Sequence, residues 1–140
     1  MSTIDPSSTP QDSEIFIALF WAGCRPENAF TLMQLIHAFD WINRYIPTAE
    51  ELDGSLNRLI AAGLLAREND NFALPLDIFN EFDAYRKRRR KNKFVLAKAF
   101  LAAREPLTEV ARSVSITEDA YRSALEMYRN EWTKYYQGTR

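Results

Sequence analysis

A chain of 140 residues with 46% hydrophobic and 13% aromatic content has enough apolar material for one core, or two small packed units, without disulfide or metal support. Its single cysteine, Cys24, excludes an internal disulfide framework, and nothing near it has metal-ligand spacing, so an ordinary reducing compartment is expected. The formal charge of -1 hides a dipolar chain: residues 1 to 84 hold four basic against thirteen acidic residues, Arg86 to Lys93 hold seven basic and no acidic ones, and the remainder holds seven against six.

Taken in chain order, residues 1 to 12 (MSTIDPSSTPQD) are rich in Ser, Thr and Pro and are expected to form a disordered arm. The apolar run IFIALFWAGC at 15 to 24 is well short of the roughly 20 residues a spanning helix needs. It follows Asp5, Asp12 and Glu14 with no basic residue before it, unlike a secretory signal. A buried first helix from Ser13 to Gly23, in a cytoplasmic protein without membrane contact, is the expectation. A second helix opens with Thr31 as N-cap, because Leu32, Leu35, Ile36, Phe39 and Ile42 then share one face, and it ends before Pro47. In PTAEELDGSLNRLIAAGLL, Thr48 and Glu51 form a capping box, Leu52, Leu56, Leu59 and Ile60 form a buried stripe, and Gly63 sits at the left-handed C-cap position. Leu64 to Arg67 and Asn71 to Leu74 read as short strands turned by Glu68, Asn69 and Asp70.

Two helices, a turn, a third helix ending in RLIAAGLL and then a short hairpin resemble the winged helix-turn-helix domain over residues 13 to 75. The resemblance implies that 49 to 62 is a recognition helix and 67 to 72 a wing, with duplex DNA as the ligand. The charges depart from that pattern. The outward positions of the third helix are expected to be Glu50, Asp53, Gly54, Asn57, Arg58 and Ala61, of which only Asn57 and Arg58 suit a base edge or a phosphate. Glu50, Glu51 and Asp53 would cancel the positive helix end that a phosphate seeks. The wing adds Arg67 but also Glu68 and Asp70.

Beyond Pro75 there is no Gly or Pro from Leu76 to Glu105, so a long helix, or two with a joint, is expected, with Ile78, Phe79, Phe82 and Tyr85 on one face. PLTEVARSV makes a short helix. A last helix, capped by Thr117 or Ser115 and closed near Gly138, carries Tyr121, Leu125, Tyr128, Trp132 and Tyr135 at heptad-like spacing, a seam suited to core packing or to a homodimer. The fold class is mainly α: a winged-helix-like three-helix unit with a short β-hairpin wing at 13 to 75, then a helical extension at 76 to 140 that is a possible dimerisation region.

Catalysis finds no support, since the chain lacks a Walker loop, a dinucleotide fingerprint, a nucleophile elbow and paired Cys or His. His37 is expected to be structural and Cys24 a buried small hydrophobe. No enzyme activity, cofactor or metal is expected. The stretch YRKRRRKNKF reads equally well as a solvated face or as a contact surface, because seven positive charges within eight residues repel one another along a helix and their concentration calls for a partner. Nucleic-acid phosphates, an acidic surface of the same or a neighbouring subunit, or an acidic protein could supply it. The expected nucleic-acid contacts are Asn57, Arg58, Arg67, Arg86, Lys87, Arg88, Arg89, Arg90, Lys91 and Lys93. The preferred function is a non-enzymatic regulator of the DNA-binding, transcription-regulation class that associates with nucleic acid through the winged-helix-like domain and a basic helix. The alternative is an adaptor that offers an acidic winged-helix surface to another protein.

Overall fold

The computed structural model describes residues 10–104 and 115–138, with side chains from 12 to 104 and from 115 to 131. Among them are six helices and one two-stranded antiparallel sheet, in the order α1 (Pro10–Trp21), α2 (Leu32–Asn43), α3 (Ala49–Ala61), β1 (Ala66–Glu68), β2 (Asn71–Ala73), α4 (Leu76–Lys87), α5 (Lys93–Ala102) and α6 (Glu118–Gly138). The expectation of a mainly α chain with a small hairpin agrees with this order. The helix expected within PLTEVARSV lies outside the described residues, as do residues 1–9 of the expected arm.

The first helix is the centre of the molecule. Ile15, Phe16, Ile17, Ala18, Leu19 and Phe20 are all buried, so no face of α1 is left to water in this stretch. It packs on α2, α3 and α5. The helix begins at Pro10, three residues ahead of the expected start, and this corrects the reading of residues 10 to 12 as part of an arm. Pro suits a first turn, where its missing N–H would have had no intrahelical partner. Asp12 then finds a buried use that its composition did not advertise.

Helix ends follow the sequence closely. Thr31 caps α2 in a capping box with Gln34, and Thr48 caps α3 in a capping box with Glu51. After α1 and α3 the chain turns at Gly23 and Gly63, with φ of 80° and 76°, which a side chain with a Cβ adopts only under strain. The hairpin pairs Ala66 with Ala73, Arg67 with Phe72 and Glu68 with Asn71. Its tip residue Asn69 has φ 58°, a conformation that Asn tolerates better than most. One further pairing joins the connection between α1 and α2 to this hairpin: the N–H of Phe30 donates to Phe72 O at 2.7 Å, and the N–H of Phe72 donates back to Phe30 O at 2.8 Å.

A single cluster of buried side chains runs through both parts of the chain. Aromatic rings dominate where α4 and α5 meet α1, with Phe16 edge-on to Phe82 at 5.2 Å, Phe20 against Phe79 at 4.5 Å and Phe82 edge-on to Phe100 at 5.0 Å. α6 packs on α2, burying Ala124 and Tyr128. The Tyr128 hydroxyl donates to Asp40, and the Tyr121 hydroxyl donates to Pro47 O. The first half of the heptad-like seam is therefore used inside the chain. The side chains of Trp132 and Tyr135 lie outside the described residues.

Candidate nucleic-acid interface

The third helix does not present the residues expected of a base reader. Asn57 is only 4% exposed, and its Nδ2 donates to Asp53 O at 2.8 Å. Asp53 is also buried, its Oδ1 accepting the N–H of Ile116 at 2.8 Å, because the segment that enters α6 covers this side of α3. Arg58 is occupied. Its Nε and Nη2 donate to the two carboxylate oxygens of Asp12 at 2.8 and 2.9 Å, and Ser55 donates to the same carboxylate at 2.6 Å. A guanidinium held in that two-point geometry is neutralised and oriented away from other anions. The expected outward placement of Asp53 and Asn57, and of Arg58 as a free contact, is thus corrected: helical spacing located the stripe of Leu52, Leu56 and Leu59 but not the two elements that close the opposite side. Glu50 remains exposed and Glu51 is half-buried, so the open end of α3 is acidic.

Arg67 lies on β1, exposed, with its guanidinium 3.6 Å from the Asp70 carboxylate. It does not join the main basic run. That run is not the one basic helix of the expected contact: of a long helix or two with a joint, the chain has the two with a joint. Arg86 and Lys87 end α4, residues 88 to 92 form a joint, and Lys93 begins α5, whose N-cap Asn92 accepts the N–H of Phe94 at 2.7 Å. Mutual repulsion gives the physical reason, since a helix through this stretch would stack seven cations on two turns with no apolar face to bury.

Four of the seven cations have work inside the chain. Arg86 and Lys87 both bind Asp83, at 2.8 and 3.0 Å. The hydrogen bond from Lys87 is the main cause that holds the Asp83 carboxyl below its ordinary value of 3.8, and Arg86 adds to it. Arg89 donates to Tyr85 O at 2.9 Å and lies over the Tyr85 ring at 3.7 Å. Lys93 lies 5.6 Å from the centre of the Trp21 ring. The remaining three, Arg88, Arg90 and Lys91, are exposed, and their side chains make no ion pair or hydrogen bond among the described residues. They concentrate unneutralised positive charge on one short joint.

Two residues beside this joint were not expected to matter. Trp21, at the end of α1, is 46% exposed, and the Arg86 guanidinium stands 5.1 Å from its ring centre. Arg25 lies over Phe79 at 5.1 Å and lines a cleft of about 260 Å³ together with Phe20, Trp21, Phe79 and Arg86. In the sequence Trp21 belongs to an unbroken apolar run, and only its place at the last helical position before Gly23 hints that it reaches the surface. Elsewhere, His37 is exposed with its ring 5.0 Å from Tyr128. Cys24 is fully buried with Sγ 3.1 Å from Phe72 O, and burial pushes its thiol up to about 11. Among the described residues no group of three or more His, Cys, Asp or Glu side chains is placed to hold a metal ion, and no helix is long and apolar enough to cross a membrane. Comparison with family models, with curated proteins and with solved structures gave no match.

Proposed function

We propose that the chain is a non-catalytic regulatory protein that associates with nucleic acid, with residues 13–75 as a winged-helix-like scaffold and the basic joint as the contact surface. The observation that carries this reading is the set of three adjacent, exposed and unpartnered cations, Arg88, Arg90 and Lys91. Phosphates are the ligand chemistry that such a set neutralises, and they need no preformed pocket. The winged-helix part of the reading is supported by the Phe30–Phe72 pairing, which gives the hairpin a third strand segment from the connection between α1 and α2. Arg67, Asn57 and Arg58 fall out of the proposed contact set, and Arg86, Lys87, Arg89 and Lys93 act as its supports.

The test is binding of labelled oligonucleotides across a salt series. Three phosphate contacts give a log-log salt slope of about -3 on duplex or -2 on single strand. Arg88→Gln/Arg90→Gln/Lys91→Gln should remove most of that slope, and absence of binding to any nucleic acid at low salt would refute the proposal.

The adaptor reading is favoured by a different observation, the acidic open end of α3 at Glu50 and Glu51. Capture of a basic protein, lost on Glu50→Gln/Glu51→Gln, would support it. A homodimer and a cytoplasmic location belong to the main proposal. Exposed Trp41 and Met127, on α2 and α6, offer apolar surface for a second copy, and sedimentation velocity tests it. The lone Cys24, which has no partner for a disulfide within the chain, fits a reducing compartment.

A further inference from the structure

We infer that the ligand of the basic joint is single-stranded nucleic acid, with Trp21 as the platform on which a base stacks. This rests on the proposal that the joint binds nucleic acid, and it adds which strand form is bound and which residue holds it. Three features of the fold lead there.

The first is the closure of α3. A duplex reader needs a helix whose side chains reach base edges in the major groove. Here Asn57 is buried, Arg58 is held by Asp12, and the open end carries Glu50 and Glu51. Those carboxylates repel a phosphate backbone, so the part of the scaffold that would be fitted to the groove is electrostatically unsuited to it.

The second is the union of indole and joint. Arg86 and Lys93 stand at the two stems of the joint, 5.1 and 5.6 Å from the Trp21 ring. The exposed ring therefore lies beside both stems of the joint that carries the three free cations. An exposed aromatic ring beside a cationic track is how proteins hold unpaired strands: phosphates follow the charges while a base, freed from its partner, stacks on the ring. In a duplex the bases are already stacked on each other and cannot reach it.

The third is the cleft beside the ring. At about 260 Å³ it is smaller than the roughly 300 Å³ lower bound of small-molecule pockets, so it suits an edge or a single ring rather than a whole separate ligand. Arg25 lines it. Its guanidinium pairs with the Glu27 carboxylate at 3.5 Å, and the Asp83 carboxylate lines the same cleft. A cleft that already holds both signs of charge suits the polar edge of a base rather than a phosphate.

The experiment uses the full chain, fluorescein-labelled oligo-dT and oligo-rU of about 15 nucleotides, and a duplex of the same length, by fluorescence anisotropy at low salt. Single strands should bind at least about tenfold more tightly than the duplex. Trp21→Ala should weaken single-strand binding by about five- to 150-fold, the range for loss of one stacked base, while leaving the salt slope in place. Trp21→Phe, which keeps a ring, should recover most of the loss and guards against a folding defect in the alanine variant. In a Trp41→Phe/Trp132→Phe background, the remaining indole emission should be quenched on binding oligo-dT. Equal affinity for duplex and single strand, or an unchanged affinity in Trp21→Ala, would overturn the inference while leaving nucleic-acid binding by the joint intact. Failure to bind any of the three oligonucleotides would overturn both, and tighter capture of poly-glutamate than of oligo-dT would assign the joint to an acidic protein instead.

Discussion

The Asp12 to Arg58 contact decides whether the third helix is a reader or a wall, and Asp12→Ala measures it. In the native chain the Asp12 carboxylate accepts three hydrogen bonds, two from Arg58 and one from Ser55, and its side chain is 11% exposed against 27% for Arg58. Removing one member of a fully buried ion pair costs roughly 3–5 kcal/mol, whereas surface pairs contribute about 0–1 kcal/mol. Arg58 keeps partial access to water and can be rehydrated, which moves the cost below the buried range. Ser55, which is fully buried, loses the acceptor for its hydroxyl, which moves it up again. The expected loss is about 2–3 kcal/mol, a fall of roughly 8–12 °C in Tm for a chain of this size. Urea unfolding followed by circular dichroism should show the shift at unchanged slope. A double-mutant cycle with Arg58→Ala should give a coupling above about 1 kcal/mol. If Asp12→Ala cost less than about 0.5 kcal/mol, the first turn of α1 would not be docked on α3, and Arg58 would again be a candidate for phosphate. Arg58→Gln makes the same point in reverse, since it should lower stability and leave oligonucleotide affinity nearly unchanged.

Burial, reinforced by the Asp40 carboxylate that accepts its hydrogen bond, pushes the Tyr128 hydroxyl well above its ordinary value of 10.0. The unfolded chain then releases this proton first, so the stabilisation is full below pH 10.0 and is lost as pH rises beyond it; Tyr128→Phe should cost about 1 kcal/mol at neutral pH and flatten part of the alkaline decline in urea midpoint, to which Tyr121 and Cys24, also raised by burial, contribute as well. An alkaline decline unaltered by Tyr128→Phe would contradict this. The Cys24 thiol, buried and raised to about 11, should react with a disulfide reagent near neutral pH only at the rate of unfolding, and fast reaction in the native chain would show that the α1 to α2 connection opens locally. Glu50→Gln/Glu51→Gln should strengthen oligonucleotide binding at about 0.01 M salt and leave it unchanged near 0.15 M, where the screening length has fallen from about 30 to about 8 Å.

Local order was legible wherever a rule acts within a few residues. The capping box at Thr48, the N-cap at Thr31, the turns at Gly23 and Gly63 and the stripe of Leu52, Leu56 and Leu59 all depend on neighbours in sequence, and each has its expected place. Readings that depended on remote residues failed. Nothing near Asn57 announces that Ile116 will cover its side of α3, and nothing near Arg58 announces an acid 46 residues earlier. Asp12 looked like part of a polar arm because its neighbours are polar, yet the apolar run that follows draws it to the N-terminal edge of the core. Composition predicted repulsion in residues 86 to 93 and left open one long helix or two with a joint, and the chain takes the second form.

The acidic excess of the first 84 residues need not silence the joint, and the reason is where α1 puts each charge. Asp12 docks α3 near one end of this helix, and Trp21 meets Arg86 and Lys93 at the other. Nine residues at 1.5 Å each separate the two contacts by roughly 13 Å along the axis. That exceeds the screening length of about 8 Å at physiological salt, and the Asp12 carboxylate at the far end is itself bound by Arg58. The acids close at hand are Asp83, which already binds Arg86 and Lys87, and Glu81, which binds Arg104. The nearby negative charge is thus consumed by the stems of the joint. Its middle, at Arg88, Arg90 and Lys91, keeps a positive field although the chain as a whole is near neutral.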